Sequence, residues 1–396
     1  MLNGPITANE QQDLRTARPR LRIAVLTEFV RALPADNSAW APLIAAALAA
    51  RGHHVTALAD GIETPDAFDT LPTIVHRHGR IHHGCEPFGF RRWAARTLAT
   101  LAPDVTLSLT DHVAAEVWLP LGPGPWAFVR SLRHTTLVGA ALDIAHRPYI
   151  ALELFSQRAA LREAARMQAT IARFAADPSS TRDARVQLLP HASIVAARLS
   201  GGLDEARANA RRALGVHPTT PLLALSATDH EADALGVVFE ALAQMRAHST
   251  AAPRLLLASR TPTRLRRRAA LHGVADTLTP IGTTHAPEFW LAAADALLAP
   301  TPARTGDSSG RLIADALALG VPVIAHALAP GAQLITGESG IRLHAAGATR
   351  WRDAILHACD PAWRQRASNA ARASVPSVQA VIDALEDALN AAAQRT

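Results

Sequence analysis

At 396 residues and 49% apolar content, the chain is long enough for two domains, each with its own core. No run of about 18 uncharged apolar residues occurs, which excludes a membrane-spanning helix. Two cysteines, Cys85 and Cys359, exclude a disulfide framework and point to a reducing, cytoplasmic compartment. The net charge is +6 and all 40 basic residues are arginine. With no helix-turn-helix, zinc or RNA-binding motif beside it, this charge suits an anionic surface or acceptor, not nucleic acid.

Residues 1–20 lack the apolar core of a signal peptide and read as a disordered polar leader. Arg20–Thr27 is a buried first strand, followed by a loop and a helix over Ser38–Ala50 that Gly52 stops. His53–Leu58 is the second strand. Strand, helix and strand joined by short connections predict a parallel, Rossmann-like start. Val75–Cys85 holds four histidines and a cysteine, but their spacing fits no standard zinc site, so it reads as a polar loop and not a metal centre. Pro87–Leu101 is a basic amphipathic helix, with Trp93 among Arg91, Arg92 and Arg96. Such a helix is either one layer of a Rossmann domain or a helix lying on an anionic membrane. Asp104–Leu109 is a further strand. Ligands of open parallel sheets bind at the carboxyl ends of strands, so Asp111 and His112, just past this one, are candidates to meet an acceptor hydroxyl.

The domain boundary is expected near Ala192–Gly202, giving units over 21–195 and 196–374 with a closing segment over 375–396. Asp204–Leu214 is a helix with acids in its first turn. Pro221–Ala227 and Arg254–Ser259 are strands, and the basic run Arg264–Arg268 follows as a solvated helix face. The stretch from Ala293 to Ala325 is the most informative. Ala296–Leu298 is a strand, Pro300–Gly306 a loop, Asp307 opens a helix that Gly320 ends, and Val321–Ala325 is the next strand. Asp307 and Asp315 are eight residues apart and so lie near one face of that helix. Val378–Leu389 is a last amphipathic helix.

The pattern of an acid, two small residues, a glycine, four residues and a second acid, then Ala-Leu-Ala-x-Gly-x-Pro-Val, resembles retaining GT-B glycosyltransferases of family 4, and among them the lipopolysaccharide core glucosyltransferase I group. Arg51-Gly-His-His-Val55, His82-His83-Gly84, the segment from His146 to Glu153, Val186–Ala192, Leu278–Thr284 and Ala329–Leu343 add to the likeness, which spans about 20–390. It implies an α/β GT-B fold: two Rossmann-like domains with parallel sheets and a last helix crossing back to the first. It implies transfer of a hexose, with retention, from a nucleotide-diphosphate sugar to a glycan or lipopolysaccharide-type acceptor. The nucleotide sugar is a substrate, and no cofactor or metal is implied. By position, Asp307 would hold the donor sugar and Asp315 the ribose. Ser308, Ser309 and Gly310 would line the donor, and Gly282 and Thr283 would bracket the base with their backbone. Localisation would be cytoplasmic, with a peripheral place on the inner face of the cell membrane left open.

Three departures accompany the likeness. The first loop, Phe29–Asn37, lacks the family's glycine pair. Ala232 and Asp233 stand where the family carries the Arg and Lys that bind the diphosphate, and Thr228–Gln244 contains four acids and no arginine. Both donor acids are Asp instead of Glu. Arg304 or Arg311, beside Asp307, could supply the missing charge, helped by the helix N-terminus. The chain is therefore either a working transferase with a relocated phosphate contact or a catalytically impaired relative that serves as a scaffold in glycan assembly.

Overall fold

The computed structural model describes residues 19–30, 40–62, 71–76, 86–110, 112–119, 150–174, 186–189, 192–193, 195, 203–226, 232–248, 253–259, 262–281, 287–301, 308–329, 331–344 and 347–395. The sequence-predicted leader up to residue 18, the first loop from residue 31 and most of the histidine-rich loop lie outside them.

The described strands form two sheets. The first holds β1 (Arg22–Val30), β2 (His54–Ile62), β3 (Thr73–Val75), β4 (Val105–Ser108), β5 (Val117–Trp118), β6 (Thr170–Phe174) and β7 (Val186–Leu189), in the order β3-β2-β1-β4-β5-β6-β7. The second holds β8 (Leu222–Ser226), β9 (Arg254–Ala258), β10 (Leu278–Ile281), β11 (Ala296–Ala299), β12 (Val323–His326) and β13 (Gly340–Leu343), in the order β10-β9-β8-β11-β12-β13. Every pairing in both is parallel. Parallel sheets must be covered on both faces, and their strands read as apolar runs. All four residues of β11 are buried, as are those of β4.

Along β1 the alternation sends Ile23 and Val25 to one core and Leu26 to another. On the first side lies α1 (Trp40–Ala50), whose Trp40, Ile44 and Leu48 recur every four residues and are buried. Gly52 stops it at φ 92°, a conformation costly for a residue with a Cβ. On the other side lie α2 (Glu86–Leu101) and α3 (Ile150–Arg166).

The second sheet is flanked by α4 (Leu203–Ala213), α5 (Ala232–Ala247), α6 (Pro262–Leu271), α7 (Pro287–Ala293), α8 (Ser308–Ala318), α9 (Ala348–Ala358) and α10 (Pro361–Ser374). Gly320 ends α8 at φ 68°, where a Cβ would lie 2.7 Å from Ser368 Oγ on α10. One buried carboxylate ties the amino ends of this sheet together. Asp295, just before β11, accepts from Leu222 N–H at 2.7 Å and from Arg211 at 2.9 Å, and it also pairs with Arg207 and Arg364. The other Arg211 N–H groups go to the carbonyls of Ala293, His217, Pro218 and Thr220 at 2.9–3.1 Å. Burial lowers the pKa of all three guanidiniums, and the Arg207 charge adds to the lowering at Arg211 and Arg364.

The last helix, α11 (Val378–Ala393), returns to the first sheet. Val381, Ile382, Leu385 and Leu389 join Ile23, Val25, Ile44 and Leu48 in one core. Its polar edge is latched: Arg51 pairs with Glu386 and, at 2.5 Å, with Asp383. His53 Nδ1 accepts from Leu21 N–H at 3.2 Å, which leaves Nε2 to donate to Glu386 at 3.1 Å. Expected boundaries hold within a few residues, β1 and β2 running on to Val30 and Ile62, while β3, β5, β6, α9 and α10 were not expected. Val186–Leu189, read as a crossover segment, is the seventh strand of the first sheet, and the closing helix continues past Leu389 to Ala393.

Asp295→Asn removes the buried carboxylate that buried Arg211 shares with half-buried Arg207 and Arg364. We expect it to lower unfolding free energy by about 3–5 kcal/mol, because an uncompensated buried charge costs far more than an intact pair contributes. Urea unfolding checks this; a loss below about 1 kcal/mol would mean that the backbone carbonyls alone satisfy the cluster.

Candidate functional site

In an open parallel sheet the crevice lies where neighbouring strands leave in opposite directions, beyond their carboxyl ends. In the first sheet this point is between β1 and β4, and in the second between β8 and β11. Thr110 and His112 follow β4, and helix α8, which opens at Ser308, is the next described element after β11.

The loop after β4 is stapled by its own hydroxyls. Thr110 Oγ1 accepts from the N–H of His112 and of Val113, each at 3.1 Å. Ser108 Oγ–H donates to Val113 O at 2.6 Å, and Trp118 Nε1–H donates to Thr110 O at 2.6 Å. His112 is thereby held at 7% exposure, and burial pushes its pKa down to about 4. It is neutral near pH 7. A neutral imidazole can hold a hydroxyl by hydrogen bonding but is a weak proton acceptor. Asp111 lies outside the described residues.

At the second sheet, helix α8 begins at Ser308, so Ser308, Ser309 and Gly310 form its first turn as expected. Arg304 and Asp307 precede it and lie outside the described residues, as do Gly282 and Thr283 past β10. Arg311 points inward and is buried. Its Nε is 3.5 Å from Asp315 Oδ2, one turn on. Asp315 is only 1% exposed, so it does not lie on a solvated helix face. Its Oδ1 accepts from Ser193 Oγ–H at 2.6 Å, and Ser193 Oγ in turn accepts from Val195 N–H at 3.1 Å. Ser193 follows the last strand of the first sheet, so the carboxylate expected for a ribose also grips the crossover between sheets. Sequence reasoning missed this contact: nothing local to Ser193 signals a partner so far along the chain.

A second unanticipated pair lies at the carboxyl edge of the first sheet. Asp60, near the end of β2 and buried, meets His76 Nδ1 at 2.8 Å, directly after β3. The His76 ring packs on Trp93 and Phe90 of α2, with centroids 5.0 and 6.3 Å away. Trp93, on the helix read either as one layer of a Rossmann domain or as lying on a membrane, is half-buried and packs on His76 and Phe90, which fits the first of these. Among the described residues no group of three or more His, Cys, Asp or Glu is arranged to hold a metal ion.

Residues 220–360 match the family model described as glycosyl transferases group 1. No curated protein matches the chain. Among solved structures, the chain is similar to WaaG, a glycosyltransferase involved in lipopolysaccharide biosynthesis, at TM-score 0.66 and 16% identity, over 93% of this chain and 99% of that one. It is similar to HepE from Anabaena, solved with UDP and glucose, at TM-score 0.61 and 15% identity, over 93% and 99%. It is also similar to the catalytic domain of starch synthase IV from Arabidopsis thaliana, bound to ADP and acarbose, at TM-score 0.58 and 12% identity, over 95% and 100%. The fold is GT-B, and the second sheet and its helices carry the group 1 glycosyltransferase signature.

His112 titrates near pH 6.5 when unfolded and about pH 4 when folded. The unfolded state therefore binds more protons between these values. The histidine's contribution is intact above pH 6.5 and is lost as pH falls toward 4, a total of about 3 kcal/mol. We expect His112→Gln to flatten that part of the stability–pH curve, measured by urea unfolding at pH 4 to 7. An unchanged slope would place the folded pKa near its ordinary value.

Proposed function

We propose that the chain is a retaining glycosyltransferase that moves a hexose from a nucleotide-diphosphate sugar to a hydroxyl of a glycan or lipopolysaccharide-type acceptor. The observation that carries this reading is the inward-facing pair Arg311 and Asp315 on α8 at the second switch point, within the stretch that matches the group 1 model. The donor would lie mainly on the second sheet, its ribose on Asp315, its sugar on Asp307 and its base against the backbone of Gly282 and Thr283. UDP is the first nucleotide to try, because HepE was solved with it.

During transfer the bond from the sugar's anomeric carbon to the diphosphate breaks, and a bond to the acceptor oxygen forms on the same face. Negative charge builds on the departing diphosphate, so fixed positive charge there lowers the barrier. In this chain Arg311, with Arg304, takes that task in place of the Arg and Lys that are missing around Ala232 and Asp233. The α8 N-terminus adds its own dipole. His112 stays neutral and orients a hydroxyl, with Asp111 beside it.

The four acids of Thr228–Gln244 favour a second reading, a relative without activity that keeps the fold as a scaffold, because carboxylates repel a diphosphate.

Donor binding separates the two. Thermal-shift and calorimetric titrations against UDP, GDP, ADP and CMP, and the matching sugars, are expected to give one clear ligand. Arg311→Ala should weaken it about 10–100-fold, the value of a charge-assisted contact, and Asp315→Asn should weaken it too. No binding by any of the four in folded protein would favour the scaffold. With an acceptor, the anomeric proton coupling of the product should match that of the donor; an inverted product would overturn the retaining assignment.

A further inference from the structure

The chain passes from one core to the other at Ser193. Leu189 of β7 and Ala192 are buried in the core of the first sheet. Val195 is buried in a core of the second, with Ala224 of β8, Leu297 of β11 and Ile313 and Leu317 of α8. Ser193 stands between them and is half-buried. Its hydroxyl oxygen accepts from Val195 N–H at 3.1 Å, closing a local turn with the backbone two residues on. That bond fixes the oxygen, and its proton goes to Asp315 Oδ1 at 2.6 Å, a length typical of a charged acceptor. The other carboxylate oxygen, Oδ2, is 3.5 Å from Arg311 Nε on the same helix. At 1% exposure the Asp315 carboxylate has little water to orient it, so protein donors set its direction.

We propose that Ser193 is a positioning residue: it holds the Asp315 carboxylate in the direction that receives a ribose diol, and so makes nucleotide binding sensitive to the crossover between the sheets. This role rests on the donor reading above, and it falls to a residue outside the 220–360 stretch that matches the group 1 model. Ser193 does not touch the nucleotide; it acts through Asp315. Two features favour positioning over displacement by the ligand. A ribose hydroxyl is the same kind of donor as Ser193, yet a carboxylate can accept about four hydrogen bonds, so the two need not compete for one lone pair. The Val195 N–H already locks Ser193 Oγ, so keeping the contact costs no further ordering. By linkage, a ribose on Asp315 must in turn steady Ser193 and the Val195 amide.

The test is calorimetric titration of the full chain with UDP, GDP and ADP, each beside its 2′,3′-dideoxy analogue. In the wild type the ribose hydroxyls should strengthen the best of the three about 10–100-fold. Ser193→Ala should remove most of that gain and leave the dideoxy analogue bound as before. Ser193→Thr, which keeps the hydroxyl, should retain it. With Asp315→Asn in place, Ser193→Ala should change affinity by less than about twofold. A serine that only supports the fold would weaken nucleotide and analogue alike, and that result would overturn the proposal while leaving the donor reading intact. Tighter binding of the full nucleotide by Ser193→Ala would also overturn it, since the ribose would then be displacing the serine. Amide exchange on the unsubstituted chain needs no variant to fold: Val195 N–H should slow with the nucleotide and not with the dideoxy analogue, and equal slowing would sink the idea. If none of the three nucleotides binds the folded wild type, the donor reading fails and the proposal falls with it.

Discussion

Val381, Ile382, Leu385 and Leu389 are packed against the first sheet by the helix most distant from it in sequence. Each such side chain stabilises by about 2 kcal/mol when taken from water, so the four give about 8 kcal/mol before the entropy of ordering the helix. The latch of Arg51, His53, Asp383 and Glu386 contributes differently. Its Glu386 carboxylate is buried, and buried ion pairs recover little more than their desolvation cost. Apolar contact therefore holds α11 in place, and the latch sets its register. Without α11, the part of this face that α1 does not cover would meet water, which a parallel sheet does not tolerate.

The two ends of each sheet use buried polar groups in opposite ways. At the amino ends, Asp295 and Glu386 are locked to arginines and histidine, and the Arg211 N–H groups end on carbonyls; these constellations hold elements together. At the carboxyl ends the buried polar residues Thr27, Asp60, Ser108, Thr110, His112 and Ser259 gather beside the crevices. Asp315 belongs to both kinds. It lies on α8, the helix that follows β11, and is bonded to Ser193 of the crossover.

Much of the fold was legible in the sequence because its signals are local. Apolar runs bounded by Gly52 and Gly320, the alanine-rich helices α1 and α8 and the amphipathic spacing of Val378–Leu389 all act within a dozen residues. Of the candidate residues, the same punctuation marked the end of β4, before His112, and the start of α8 at Ser308. What escaped were contacts between distant residues. Asp295 reads as one more residue of AADALLA, and nothing near it announces Arg207, Arg211 or Arg364. Asp60 lies on β2 and His76 directly after β3, 16 residues on. Trp93 has the neighbours of a surface aromatic, and only the fold shows that it packs on His76. Such pairs have no period, and periodicity is what a single sequence offers.

The position of α11 also orders events during synthesis. The strands of the first sheet emerge from the ribosome early, but the helix that closes one of their faces is made after every other element described. The second sheet has its flanking helices α4 to α10 close at hand and can complete its core first. Until α11 arrives, Ile23, Val25, Val105 and Leu107 present an unfinished apolar surface on the nascent chain, of the kind that chaperones recognise.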